Sequence, residues 1–110
     1  MSTTDTDRIR ALNDDRRKTL LGGGAVITPG IAALGPEAVA RLVQTIAVYD
    51  DFSHATDPHE EHDSGCFAFD NVEVCFKIDY YDKSLNFHSP NAADPAVTER
   101  VITIMRADEY

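Results

Sequence analysis

The segment DPHEEHDSG, from Asp57 to Gly65, places two histidines and four carboxylates within nine residues. These residue types support two chemistries. His59, His62, Asp63 and Asp79 are ligand types for a divalent transition metal, and Asp82 can add a further oxygen. A histidine beside a carboxylate can also work as a general base, with His59, His62 and Glu61 as the catalytic candidates and Tyr80 or Tyr81 as helpers. The spacing argues against the best-known metal pattern. The zinc-protease motif is His-Glu-x-x-His on a helix, whereas these histidines are three apart in a segment broken by Pro58 and Gly65. No nucleophile motif is present, neither Gly-x-Ser-x-Gly nor a Cys next to a His, although Cys66 follows the loop closely enough to pair with His62.

The same residues also admit a purely structural role. Asp57 can cap a turn at Pro58, and the histidines can bond to strand ends or to Asp79. Lys77 can pair with Glu73 or Asp79.

Charge supplies the third reading. Residues 50 to 82 contain ten acids and one base, Lys77, so this stretch carries the whole formal charge of −9. The remaining acids and bases cancel. Direct nucleic-acid binding is disfavoured, because it depends on Lys and Arg at phosphates. Arg16, Arg17 and Lys18 form a basic group beside Asp14 and Asp15, which reads as a solvated helix end. An acidic surface on a small protein instead attracts a basic protein, following the logic of antirestriction and anti-CRISPR inhibitors that mimic nucleic acid. Asp57, Glu60, Glu61, Asp63, Asp79, Asp82 and Tyr81 are the expected partner-binding residues.

These side chains need a scaffold. The chain has 110 residues, enough for a single domain. Residues 1–6 are expected to be a flexible N-terminus. Thr4 or Thr6 caps a first helix with a thin apolar stripe at Ile9, Leu12 and Leu20, so that helix is expected at the surface. Gly22-Gly23-Gly24 ends it. The order helix, glycines, apolar run excludes a phosphate loop. Val26 and Ile27 read as a short strand limited by Pro29 and Gly30. A second helix opens at Pro36, with Val39, Leu42, Val43 and Ile46 in one stripe.

Residues 52 to 65 read as a loop. Period-two alternation follows. Phe67 and Phe69 share a face, Asp70-Asn71 makes a hairpin turn, and Val72, Val74, Phe76, Ile78 and Tyr80 line one side of a long strand. SLNFH is expected as another strand with Leu85 and Phe87 inward. RVITIM, apolar on both faces, is expected in the middle of the sheet. The fold class is α+β: an antiparallel sheet of about four to five strands with two helices packed on one side. No export signal is evident in MSTTDTDRIRAL and no apolar run is long enough for a membrane span, so a cytoplasmic setting is expected, with Cys66 and Cys75 as thiols; a bridge is the alternative if the two face each other on neighbouring strands.

Three separated motifs, DPHEEHDSG, KIDYYD and SPNAADPAVTERVITIMRADEY, resemble the DUF3768 family, small alphaproteobacterial proteins grouped as a domain of unknown function. The resemblance runs from RIRALND to the final EY. It rests on Asp57, Pro58, His59, Glu61, His62, Asp63 and Gly65, and on the run from Lys77 to Asp82. His88 departs from it, since members carry a small residue there. The resemblance implies a bacterial cytosolic protein and brings no activity with it. The reading that follows is a non-enzymatic binding or inhibitory module with no resident cofactor. Its acidic surface engages a basic, nucleic-acid-binding partner protein. The alternative is a metal-dependent enzyme built on His59, His62 and the loop carboxylates.

Overall fold

A computed structural model describes residues 4–22, 25–53 and 57–110. Gly23 and Gly24 of the glycine run, residues 1–3 of the expected flexible terminus and residues 54–56 of the expected loop lie outside the described residues.

Helix α1 spans Asp5–Lys18. Thr4 caps it: the threonine side-chain oxygen accepts from the Asp7 N–H at 3.1 Å. Asp5 and Asp7 stand at its positive end and Arg16, Arg17 and Lys18 at its negative end, where each sign suits the helix dipole. A 3-10 turn, Thr19–Gly22, follows. Strand β1 is Ala25–Ile27. A short helix, α2, covers Pro29–Ala32 and buries Ile31 completely. It was not expected from the sequence. Pro29 does stop the strand, and because its fixed φ and missing N–H suit a first helical turn, the chain coils there instead of looping.

Helix α3 spans Pro36–Ala47, with Pro36 in the first turn and Leu42 and Ile46 fully buried, as the stripe predicts. Strands β2 (Ser64–Phe69) and β3 (Val72–Tyr81) form a hairpin. Its turn residues Asp70 and Asn71 both have positive φ, 50° and 66°, the conformation a tight two-residue hairpin needs. Strand β4 is Glu99–Arg106, and a 3-10 turn at Ala107–Glu109 follows it.

The four strands lie in the order β1-β4-β3-β2. The two inner positions belong to β4 and β3, which agrees with the apolar character of RVITIM. The expectation of a purely antiparallel sheet is corrected at one edge, where β1 runs parallel to β4. The α+β class holds. Leu42 and Ile46 of α3 share one core cluster with Val74, Phe76 and Ile78 of β3 and Ile102 and Ile104 of β4.

Two further expectations fail. SLNFH is not a strand. The Asp82 carboxylate accepts from the Ser84 hydroxyl at 2.8 Å and from the Asn86 and Phe87 N–H groups at 3.1 and 3.4 Å, which folds the segment into a capped turn. Leu85 sits at φ 62°, outside the strand region. Leu85 and Phe87 are 56% and 72% exposed instead of inward. Only one bridge, Tyr81 to His88, extends the sheet there. The second correction concerns the cysteines. Cys66 and Cys75 stand directly opposite each other across the hairpin and are joined by a disulfide, so they are not free thiols.

Candidate functional site

The acidic loop is shaped from within by Asp57. This residue is buried, 4% exposed, and its Oδ1 accepts from the N–H groups of Glu61 (3.0 Å) and His62 (3.1 Å). Its own N–H donates to the Ser53 carbonyl at 2.7 Å, and its carbonyl accepts from the Glu60 N–H at 3.1 Å. Glu60 and His62 take positive φ, 59° and 57°. The segment therefore coils around one carboxylate. This turn-capping role is one the residue types suggest.

Helix α1 then holds the coil from outside. Arg10, Asn13 and Arg17 recur at i, i+3 and i+7, on one face of the helix. Arg10 Nε donates to the Glu60 carbonyl at 2.6 Å, Asn13 Nδ2 to the Glu61 carbonyl at 3.0 Å, and Arg17 Nη1 to the His62 carbonyl at 3.4 Å. Three successive loop carbonyls thus meet three side chains of one helical stripe. Arg17 adds bonds to the Tyr49 carbonyl (3.2 Å) and to Asp14 Oδ1 (2.8 Å). Asn13 is fully buried and Arg17 is 3% exposed. The solvated-helix-end reading of Arg17 is therefore overturned. The apolar stripe of α1 is thin because part of its buried face is polar.

His62 belongs to this clasp. Its Nδ1 lies 2.9 Å from Asp14 Oδ1, and its ring stacks on Phe52 with centroids 3.9 Å apart. Burial works to raise the Asp14 pKa, yet the hydrogen bonds from His62 and Arg17 outweigh it and hold the carboxyl below its usual range. Glu61 accepts from the Tyr80 hydroxyl at 2.8 Å, and that hydroxyl accepts from Asn13 at 2.7 Å. Burial, with the Glu61 charge beside it, pushes the Tyr80 phenol well above its normal value. Arg100 completes the network: it donates to Asn13 Oδ1 at 2.8 Å, lies over the Tyr80 ring and bonds the Ala92 carbonyl.

The metal candidates are divided among different places. His62 lines a cleft of about 470 Å³ with Arg10, Phe52, Ser53, Asp57 and Glu60. His59 is exposed and lines another, of about 420 Å³, with Pro58, Asp63, Ser64, Cys66, Phe76 and Tyr110. Asp63 thus shares a cleft with His59 but not with His62. Asp79 pairs with Lys77 at 3.2 Å on the other face of β3 from the core. Among the described residues, no group of three or more His, Cys, Asp or Glu side chains is placed to hold a metal ion.

The expected partner-binding acids are also sorted by the fold. Asp57 and Glu61 are turned into the network, and Asp82 caps its own turn. Asp63 is half-buried; burial first, then the Glu61 and Asp57 charges, raise its pKa. Glu60 is exposed, as are Asp50 and Asp51 just upstream. Tyr81 stacks on His88 with centroids 6.5 Å apart.

A profile of proteins of unknown function, DUF3768, matches residues 27–109, from β1 to the final turn. The chain belongs to that family. No curated protein and no solved structure matches it. Within this DUF3768 chain the loop, Tyr80 and Arg100 lie inside the matched segment, and the α1 side of the clasp precedes it.

Sequence reading located the loop and Asp57, and offered Phe52 as an aromatic anchor, but missed the parts of Arg10, Asn13, Asp14, Arg17 and Arg100. The available signal was the i, i+3, i+7 recurrence of polar residues on α1, which a search for apolar stripes passes over.

Proposed function

We propose that this DUF3768 chain is a non-enzymatic, cytoplasmic binding module that engages the basic, nucleic-acid-binding surface of a partner protein and so inhibits it. The observation that supports this reading is the charge: residues 50 to 82 carry ten acids against one base, and four of those acids, Asp57, Glu60, Glu61 and Asp63, lie in or beside the segment whose carbonyls α1 clasps. A fixed loop presents its charges without a large ordering cost on binding. In this reading the exposed acids Glu60, Asp50 and Asp51 carry the binding, with Asp63, Asp79 and Tyr81 as further candidates. Asp57, Glu61 and Asp82 hold the shape.

The test is affinity against salt. A partner captured at low salt is purified, and its Kd is measured for the wild type and for D50N/D51N/E60Q. The reading predicts that raising salt to physiological levels weakens binding by about tenfold or more, and that the triple variant weakens it further at low salt. A salt-independent Kd shared by both proteins would overturn it.

The alternative, a divalent-metal enzyme using His59, His62 and Glu61, has less support, because the two imidazoles line different clefts and Glu61 is bonded to Tyr80. Titration of the untagged protein with zinc and with manganese separates the two. The binding-module reading expects no saturable, stoichiometric uptake, and uptake abolished by H59A/H62A would favour the enzyme.

A further inference from the structure

We propose that the Cys66–Cys75 bridge is a thiol-exchange site, entered by low-molecular-weight thiols from one side only, at Cys66. The two sulfurs sit in unlike surroundings. Cys75 belongs to β3, which is flanked on both sides, by β2 and by β4. It is 3% exposed, and its neighbour across β4 is Met105, 4% exposed. Cys66 belongs to β2, an edge strand, and is only partly buried. It lines the cleft of about 420 Å³ whose walls include His59, Asp63 and Tyr110. Cys75 is not among the lining residues.

Exchange requires a thiolate to reach one sulfur along the axis of the bond, on the side away from the leaving sulfur. Cys66 lines the open cleft, whereas Cys75 is packed away at 3% exposure, so an external thiolate meets Cys66 first. In the first step a thiolate RS⁻ bonds to Cys66 Sγ, and the Sγ–Sγ bond breaks. Its electron pair leaves on Cys75 Sγ, which takes up a proton. A second thiolate attacks the sulfur of RS in the mixed disulfide, which releases RSSR and leaves Cys66 as a thiol. Two external thiols are oxidised and one protein disulfide is reduced. In the reverse direction, a small disulfide loads Cys66, and Cys75 closes the bridge from within. A chain of net charge −9 repels anionic thiols, so a cationic thiol such as cysteamine reacts faster than glutathione.

The full-length protein is treated with cysteamine, quenched in acid at short times and mapped by peptide mass spectrometry. The expected first adduct is on Cys66, with Cys75 recovered as a free thiol. In parallel, the C75A and C66A variants are exposed to cystamine, with and without denaturant. Cys66 in C75A should be modified about tenfold or more faster than Cys75 in C66A under native conditions, and the difference should vanish in denaturant. Overturning results would be a first adduct on Cys75, equal native rates, a bridge that yields no adduct, or two free thiols in the untreated protein. The wild-type mapping decides the matter if either variant fails to fold.

Discussion

Asn13 shows how much rests on single polar side chains in this protein. It donates to the Glu61 carbonyl and the Tyr80 hydroxyl and accepts from Arg100, all without contact with water. An alanine there takes the partner from the Glu61 carbonyl and from an Arg100 guanidinium N–H, and leaves the Tyr80 hydroxyl with only its bond to Glu61. Asn13→Ala should lower unfolding stability by about 2–3 kcal/mol, read as a fall in the urea midpoint at unchanged m-value. Asp63 works the other way. Its carboxyl has a raised pKa in the folded state, so the native protein binds protons more readily than the unfolded chain. The penalty is absent below the ordinary value of 3.8 and grows as pH rises above it. Asp63→Asn should therefore raise the melting temperature at pH 7, and the gain should disappear below pH 3.8. A gain that persists in acid would mean that burial of charge is not the cause.

At the scale of elements, the helices and the hairpin obeyed rules that can be read directly. Thr4 capped α1, Pro36 opened α3, and Leu42 and Ile46 pointed inward because apolar period 3.6 fixes a face. The Asp70-Asn71 turn also fixed the register, and with it the meeting of Cys66 with Cys75, since every pair in the hairpin lies symmetrically about that turn. The bridge was thus legible in the turn, although the expected reducing compartment argued against it.

The segment after β3 was not legible. Leu85 and Phe87 imitate strand alternation, but one carboxylate, Asp82, offers three donors a local alternative to the sheet. Asp82→Ala should speed hydrogen exchange at the Asn86 and Phe87 amides and leave β3 protection unchanged. Removing the bridge, by C66A/C75A, should cost about 2–3 kcal/mol from the entropy of a loop of this length. Equal melting of oxidised wild type and the double variant would contradict that.

For the whole molecule, charge and fold tell different parts of one account. The sequence placed the acids in one stretch but could not say which of them face water. Tertiary contacts decided that: α1, far upstream, turned Asp57 and Glu61 into a polar core and left Glu60 outside. Hydrophobic patterning is blind to such burial, because a buried Arg17 and a solvated Arg17 look alike in a list of residues. The proposed binding surface depends on this arrangement, since exposed acids on a clasped loop form a fixed pattern whereas acids on a loose loop do not.

The most direct test is native-state hydrogen exchange at the Glu61 and His62 amides, the two that donate to the Asp57 carboxylate. A clasped loop predicts protection approaching that of β3, and a loss of that protection in Arg17→Met at equal global stability. Exchange at the rate of an open chain in the wild type would show that the loop is not held, and would remove the basis for a preformed acidic surface.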